Sequence, residues 1–200
     1  MDHFGEAVIL CGGKSKRMGF DKSLLKINGR YMIDILVDKL SLCFDRVKLS
    51  GGERERLGVF DLEIIEDEAK AGVGPAVGIY SALKQTSSQY VFVTACDMPF
   101  IEPAHIQFMM DLLAYHKYTP EALVPMNGGF IEPLYSFYSA GMAERFEEEI
   151  LRGNYKIHDI LLNAKALYMD DRFSRIFSEN MSMFTNLNYT ADLEHISLVR

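Results

Sequence analysis

The sequence predicts an α/β protein built on one doubly wound, mostly parallel sheet. Short apolar runs typical of buried strands alternate with longer stretches of helical periodicity. An antiparallel strand or hairpin is expected near residues 122–138, where a glycine turn separates two runs of strand-forming residues. Ligands of doubly wound sheets bind at the carboxyl ends of the strands, so we expect a functional site at that edge.

A length of 200 residues suits one domain, or at most two small ones, with a sizeable core, and we expect a single domain over residues 1–200. The chain has 21 basic and 28 acidic side chains, a net charge of −7, which argues against a nucleic-acid surface because phosphate contacts need a basic face. Cys11, Cys43 and Cys96 have the spacing of neither a disulfide framework nor a CxxC metal site, so we expect a reducing cytosol. No apolar run approaches the ~20 residues of a membrane span.

Hydrophobic periodicity places each element in chain order. Apolar runs bounded by turn or acidic residues predict parallel strands at 7–11, 47–50, 62–65 and 90–95. Helical spacing predicts helices at 31–44, 76–85, 103–116, 141–151 and 156–163, with a short solvated helix over 53–56. A strand at 122–126 is followed by a glycine turn and by alternating residues 130–138, which predict an antiparallel strand.

The turn after the first strand is the most informative segment. Gly12-Gly13 ends the strand, and residues 14–22 carry four cationic side chains against a single acidic one. Backbone N–H groups released by a glycine turn at a strand end, together with nearby cations, form a site for a polyphosphate. A solvated basic turn is the plainer alternative.

Two familiar phosphate-binding loops do not fit this turn. A Walker A loop needs a glycine five residues before the Gly-Lys-Ser triplet, and Val8 stands there. The dinucleotide fingerprint needs glycines at its first, third and sixth places, whereas the glycines here are at 12, 13 and 19. Both motifs are therefore excluded.

The segment resembles the signature L-x-G-G-x-S-x-R-M-G-x-D-K-x-L-L of the nucleotidyltransferases that act on the molybdenum cofactor. The positions that match in register are Leu10, Gly12, Gly13, Ser15, Arg17, Met18, Gly19, Asp21, Lys22, Leu24 and Leu25. Residues 97–100, D-M-P-F, are similar to a second motif of that family. Near the end of the chain, Asn186-Leu187-Asn188 is similar to the family's N-x-N-T-P segment, with Tyr189-Thr190 in place of Thr-Pro.

The resemblance implies a Rossmann-like nucleotidyltransferase fold and a specific reaction. The implied activity transfers GMP from GTP to the terminal phosphate of molybdopterin in its molybdenum-bound form, which yields the guanine dinucleotide cofactor and pyrophosphate. The implied substrates are GTP and molybdopterin, and the implied cofactor is Mg²⁺. Transient contact with proteins that carry or accept the cofactor is also implied, whereas nucleic acid and membrane are not.

Asp97 is the candidate metal ligand and one of three candidate catalytic residues. Its carboxylate follows strand 90–95 and provides a hard oxygen ligand suited to Mg²⁺, while it lies too far upstream of Pro103 to cap the next helix. The resemblance implies that Asp97 holds Mg²⁺ between phosphates and that Lys22 stabilises the α-phosphate. It also implies that Arg17 and the Gly12-Gly13 turn hold the departing pyrophosphate.

Further residues are expected to contact the nucleotide. The full nucleotide-binding set is Leu10, Cys11, Gly12, Gly13, Lys22, Ser50, Asp67, Gly74 and Asp97. Asp67 follows the strand at 62–65, and the resemblance places it beside the nucleotide, although an ordinary strand-end carboxylate explains it from spacing alone. Ser50 departs from the Asn of many relatives, and a hydroxyl has a shorter reach and fewer donors than an amide.

The acceptor substrate is expected to contact Glu132, Pro133, Asn186 and Asn188. Glu132-Pro133-Leu134 resembles the family's hairpin near the acceptor, and a plain hairpin explains the same residues. The two asparagines, two residues apart, could share one face of an extended segment and hydrogen-bond a ligand, or they could form a turn.

Three other functions are compatible with the same phosphate loop. A cytidylyltransferase for the same cofactor and a sugar-phosphate nucleotidyltransferase differ from the implied enzyme in base or acceptor. A nucleotide-binding assembly protein without catalysis is the third, and the presence of Lys22 and Asp97 argues against it.

Overall fold

The computed structural model describes residues 3–12, 24–51, 54–66 and 74–187. The strands in these residues are β1 (Glu6–Leu10), β2 (Lys26–Ile27), β3 (Arg30–Tyr31), β4 (Arg46–Ser50), β5 (Glu63–Ile65), β6 (Tyr90–Ala95), β7 (Ala122–Asn127), β8 (Phe130–Ile131), β9 (Tyr135–Ser139) and β10 (Ala166–Met169). The helices are α1 (Met32–Leu40), α2 (Arg54–Leu57), α3 (Pro75–Gln85), α4 (Pro103–Tyr115), α5 (Ala143–Leu151), α6 (Ile157–Leu162) and α7 (Asp171–Ser174). Short 3-10 helices span Gly58–Phe60, Ala140–Met142 and Ser182–Phe184. Within this part of the chain, none of the helices has the length and apolar character needed to cross a membrane.

One large sheet confirms the predicted fold class. Its strand order is β10-β7-β9-β6-β1-β4-β5, with β8 paired to β7. Along that path, β1 pairs in parallel with β4 and β6, β4 with β5, and β7 with β10, whereas β9 is antiparallel to both β6 and β7. The described part of the sheet is therefore mostly parallel, with β9 as the reversed strand of the path.

The two faces of the sheet are both covered by helices, which explains the continuous apolar runs in its central strands. Ala7 and Ile9 of β1 pack with α1 and α4 in one cluster of buried residues. Val8 and Leu10 point to the other side and pack with α3, α5 and α6. The alternation of strand side chains thus divides the core into two layers.

The predicted antiparallel strand at 130–138 is two strands in the structure. β8 pairs with β7, and β9 pairs with β6 and with the start of β7. Residues 132–134 separate β8 from β9. The N–H of Glu132 still donates to the carbonyl of Pro125 at 2.9 Å, but Pro133 has no N–H with which to continue the strand pairing. The hairpin predicted near 122–138 is confirmed in outline, with this break added.

A buried charge cluster lies at the amino edge of the sheet, where β1 begins. Glu6 is buried and accepts hydrogen bonds from the backbone N–H of Ser87 at 3.1 Å and from its hydroxyl at 3.0 Å. The ammonium of Lys48 lies 3.3 Å from the second carboxylate oxygen. Burial alone would raise the pKa of Glu6, but the Ser87 hydrogen bonds and the Lys48 charge lower it below its usual value. These contacts join β1 and β4 to the turn after α3.

Candidate active site

The carboxyl ends of β1, β4, β5 and β6 lie side by side at one edge of the sheet. Leu10 is in register with Ser50 on one side and with Ala95 on the other, and Ser50 is in register with Ile65. Backbone hydrogen bonding between these segments continues past the strand ends. The N–H of Cys11 donates to the carbonyl of Ser50 at 2.8 Å, and the N–H of Cys96 donates to the carbonyl of Leu10 at 3.1 Å. These bonds hold the start of the glycine turn beside the segment that carries Asp97.

The turns after β1 and β4 touch each other through their backbones. A Cβ atom on Gly51 would lie 2.9 Å from both the N and the Cα of Gly12, and Gly51 has φ +76°. A side chain at position 51 is therefore excluded both by contact and by conformation. Gly12, a predicted phosphate-binding residue, thus rests directly on the end of β4.

Helix α3 begins at the same edge. Gly74 stands at its N-cap with φ 90°, and Pro75 occupies the first turn. A Cβ on Gly78 would lie 3.0 Å from Leu10 and 3.1 Å from the hydroxyl of Ser50, so the first turn of α3 packs closely on the ends of β1 and β4. The N-terminus of a helix favours anions, which agrees with the predicted nucleotide contact at Gly74.

The side chain of Ser50 is directed towards helix α3. Its side chain is 0% exposed, and its hydroxyl donates to the carbonyl of Gly78 at 3.2 Å. To donate a hydrogen bond to the nucleotide instead, the hydroxyl would have to leave this bond. The hydroxyl instead joins β4 to α3, and the predicted nucleotide contact of Ser50 stays a prediction.

Asp97 lies in the turn that follows β6, and two predicted site segments meet at its backbone. The N–H of Met98 donates to the carbonyl of Ala95 at 3.2 Å, which forms the turn. The carbonyl of Asp97 accepts the N–H of Leu187 at 2.8 Å. This bond places the segment with exposed Asn186 next to the D-M-P-F segment, as a shared site requires.

Two residues outside the predicted set support the loop after Asp97. The ammonium of Lys39 donates to the carbonyl of Ile101 at 2.9 Å, and burial lowers the pKa of Lys39. The buried hydroxyl of Tyr135 accepts the N–H of Glu102 at 3.2 Å, and burial raises the pKa of Tyr135. In the sequence, Lys39 falls within a helical pattern and Tyr135 within a strand pattern, so no local signal indicates these contacts.

The predicted acceptor hairpin lies at the same edge as Asp97. Thr94 of β6 is in register with Tyr135 of β9, so the residues before Tyr135 extend beyond the carboxyl end of β6. The side-chain amide of Asn127 donates to the carboxylate of Glu132 at 3.0 Å, and burial raises the pKa of Glu132. The carbonyl of Pro133 accepts the hydroxyl of Tyr138 at 2.7 Å. Glu132 is thus a half-buried carboxyl group whose contact with the acceptor stays a prediction.

Five predicted site residues lie outside the described residues: Gly13, Arg17, Lys22, Asp67 and Asn188. Their roles stay predictions. The described members that share the carboxyl edge are Leu10, Cys11, Gly12, Ser50, Gly74, Asp97, Glu132, Pro133 and Asn186.

The donor set around Asp97 suits a cation that takes few protein ligands. Within the described ranges, no three His, Cys, Asp or Glu side chains form a group that could hold a metal ion. A caged zinc or calcium site needs three or more protein ligands, whereas Mg²⁺ usually takes one or two carboxylates and completes its shell with water and substrate phosphates. The strand-end carboxylate of Asp97 is an oxygen ligand of the kind that Mg²⁺ takes together with substrate phosphates.

A doubly wound sheet that brings Gly12, a helix N-terminus and a strand-end carboxylate to one edge has the arrangement typical of nucleotide-binding α/β proteins. The model of the MobA-like NTP transferase domain matches residues 7–167, and the chain belongs to this family. It is therefore a nucleotidyltransferase.

Individual relatives agree with this assignment. The chain is 34% identical over 191 residues to the molybdenum cofactor guanylyltransferase of Syntrophotalea carbinolica, covering 96% of this chain and 90% of that protein. The structure of molybdopterin-guanine dinucleotide biosynthesis protein A from Archaeoglobus fulgidus superimposes with a TM-score of 0.82 at 26% identity, covering 97% of each chain. The 2-C-methyl-D-erythritol 4-phosphate cytidylyltransferase of Thermus thermophilus has a TM-score of 0.63 at 13% identity, covering 96% of this chain and 98% of that one. At that identity the likeness concerns the fold alone.

Proposed function

We propose that the chain transfers GMP from GTP to the terminal phosphate of molybdopterin and releases pyrophosphate. The observation that carries the proposal is the backbone hydrogen bond from the N–H of Leu187 to the carbonyl of Asp97, which holds the predicted acceptor segment beside the residue predicted to bind the metal. The relatives named as guanylyltransferases align over nearly the whole chain, which supports the same reaction here.

The chemistry requires positioning and charge neutralisation rather than a covalent nucleophile. An oxygen of the acceptor's terminal phosphate attacks the α-phosphorus of GTP, and the bond from that phosphorus to the oxygen bridging the β-phosphate breaks. Pyrophosphate leaves with the electron pair of that bond. Both reactants are anionic, so the site must offset their repulsion before the attack can occur.

Each predicted residue has a defined task in this scheme. The backbone at Gly12 and the N-terminus of α3 after Gly74 present partial positive charge to the nucleotide. Lys22 would stabilise the α-phosphate, and Arg17 would hold the pyrophosphate. Asp97 would hold Mg²⁺, which supplies charge neutralisation at the phosphates when it is bound.

The compartment and the partners follow from the same proposal. Cys11, Cys43 and Cys96 are free thiols, and a reducing cytosol is the compartment that belongs to the proposal. The product is a cofactor destined for other enzymes, so we expect transient contact with proteins that carry or accept it.

The choice of base separates the proposed enzyme from a cytidylyltransferase for the same cofactor. The fold is shared with a cytidylyltransferase, so it does not select guanine by itself. We expect GTP to be preferred, because a site built to hydrogen-bond guanine edges leaves buried polar groups unpaired with another base.

The test is pyrophosphate release by the purified chain with molybdopterin and either GTP, CTP or ATP in the presence of Mg²⁺. The expected result is a kcat/KM for GTP at least ~100-fold above those for CTP and ATP. Comparable rates with CTP would identify a cytidylyltransferase, and release only with sugar phosphates would identify a sugar-phosphate enzyme. Tight GTP binding without release for any acceptor would support the non-catalytic alternative.

A further inference from the structure

A third, small hydrophobic cluster lies apart from the two core layers. Its buried members are Ile27, Met32 and Leu187, and the partly buried side chains of Leu25, Ile35 and Phe100 pack against it. The two larger clusters contain none of these residues.

The cluster joins three segments that are distant in sequence. Leu25, Ile27 and Met32 belong to the β2–β3 hairpin and its junction with α1, immediately after the predicted phosphate loop, and the N–H of Met32 donates to Leu25 at 2.9 Å. Phe100 comes from the loop that carries Asp97, and Leu187 comes from the predicted acceptor segment. The predicted phosphate, metal and acceptor segments therefore share one apolar contact.

Leu187 takes part in this junction with both its side chain and its backbone. Its side chain is 4% exposed, whereas Thr185 and Asn186 before it are exposed. Its N–H donates to the carbonyl of Asp97 at 2.8 Å. A shift of Leu187 would therefore act on Asp97 directly through the backbone and indirectly through Phe100.

We propose that Leu187 is a positioning residue that couples binding of the acceptor to binding of the metal–nucleotide complex. The inference deepens the proposed function and rests on it. A ligand held by the segment at Asn186 fixes Leu187, and Leu187 fixes the turn that presents the Asp97 carboxylate. Because coupling of two binding sites is reciprocal, the metal–nucleotide complex strengthens acceptor binding by the same factor.

The test compares Leu187→Ala with a matched truncation in the same segment. Met183→Ala is the control, since Met183 is fully buried four residues earlier but packs in a main core layer. Leu187→Met is the rescue variant, because it conserves the apolar volume and the backbone N–H. Mn²⁺ is the metal probe, and its free concentration is measured by electron paramagnetic resonance in the presence of the protein and GTP.

Leu187→Ala is expected to weaken Mn²⁺ binding to the protein–GTP complex by about tenfold and to raise the KM for molybdopterin by a similar factor. GTP affinity without metal is expected to stay within about twofold, because the coupling acts through Asp97. Met183→Ala is expected to lower the melting temperature to a similar extent while leaving Mn²⁺ affinity unchanged. Leu187→Met is expected to restore the wild-type values.

Equal Mn²⁺ affinities in Leu187→Ala and Met183→Ala would overturn the proposal. If Leu187→Ala does not fold, amide exchange of the wild-type chain decides: GTP with Mn²⁺ must slow exchange at the amide of Leu187, and an unchanged rate overturns the coupling. A wild-type chain that releases no pyrophosphate with molybdopterin and GTP would refute the proposed function, whereas the Mn²⁺ and exchange measurements would still report on Leu187.

Discussion

At the scale of single residues, Asp97 combines two separable roles. Its backbone carbonyl accepts the N–H of Leu187, so the peptide unit contributes to the structure whichever side chain it carries. Its carboxylate is proposed to hold Mg²⁺. A substitution that alters only the side chain therefore keeps this backbone bond.

Asp97→Asn is expected to lower turnover at least ~100-fold, because losing one electrostatic contact to the reacting phosphates typically costs about 2.7 kcal/mol or more. The melting temperature of the metal-free protein is expected to change little, since the shape and the backbone bond are kept. Pyrophosphate release as a function of Mg²⁺ concentration, alongside thermal melting, measures both effects. Asp111→Asn on the exposed face of α4 is the control for the charge change. Near-normal turnover in Asp97→Asn would contradict the proposal that the Asp97 carboxylate binds the metal.

At the scale of elements, the ends of β1 and β4 must approach each other without side chains. The contact between Gly51 and Gly12 lies at the point where the predicted phosphate-binding backbone begins. We therefore expect a disturbance at Gly51, which follows β4, to reach the predicted nucleotide site through Gly12, which follows β1.

Gly51→Ala is expected to lower both the free energy of unfolding and the affinity for GTP, since its Cβ would displace the backbone of Gly12. Gly153→Ala isolates the cost of the backbone conformation, because Gly153 has φ +78° and nothing within 4 Å of its added Cβ. A left-handed conformation costs an alanine about 1–2 kcal/mol, and Gly51→Ala should exceed that. Urea unfolding and GTP titration of both variants check this. An unchanged GTP affinity in Gly51→Ala would show that Gly12 does not position the nucleotide.

At the scale of the whole molecule, one buried histidine contributes to acid sensitivity. His105 of α4 is buried, its Nε2 lies 3.0 Å from the hydroxyl of Ser174 in α7, and its ring packs against Tyr135, Phe177 and Phe184. Burial lowers the pKa of His105 to about 4. Below pH ~6.5 the unfolded chain binds a proton that the folded chain does not bind until pH ~4, so stability falls across that interval.

His105→Leu is expected to remove about 2–3 kcal/mol of the stability loss between pH 7.5 and 4.5, the linkage expected from such a lowered pKa. At pH 7.5 the variant is expected to be less stable than the wild type, since Ser174 loses its partner. Urea unfolding at both pH values gives the two differences, and carboxylates that titrate in the same range cancel between the proteins. An identical pH dependence in both proteins would contradict a neutral buried His105.

Much of the fold follows from local periodicity. β6 has the predicted bounds, and β1 and α3 are each within one residue at either end, because fully buried strands and a proline-initiated helix leave clear patterns. β10 and α7 were not predicted. β10 is a four-residue edge strand whose first three residues are partly or fully exposed, so it lacks a buried run. The break between β8 and β9 depends on Pro133, whose effect on strand pairing becomes visible only with the partner strands known.

The candidate site is predictable only where a motif carries it. Asp97 and Gly12 stand at strand ends, and the fold brings strand ends together, so their placement follows from the sequence. Leu187, Tyr135 and Lys39 act through contacts between distant segments, and each has the local pattern of an ordinary core or helix residue. For Ser50, the position at the end of a predicted strand does not reveal that its hydroxyl is bonded to α3.

The position of β9 sets the order in which the strands of this sheet can pair while the chain is being synthesised. β9 is synthesised after β7 yet lies between β6 and β7, and β10 joins only through β7. Once β6 has emerged, β5, β4, β1 and β6 can pair, and the glycine turn and Asp97 then already stand at one edge. β7 and β10 cannot join the sheet until β9, residues 135–139, has been synthesised and has paired with β6. During that interval the nascent chain exposes an unpaired β6 edge of apolar residues, which is the stage at which neighbouring nascent chains can pair with it.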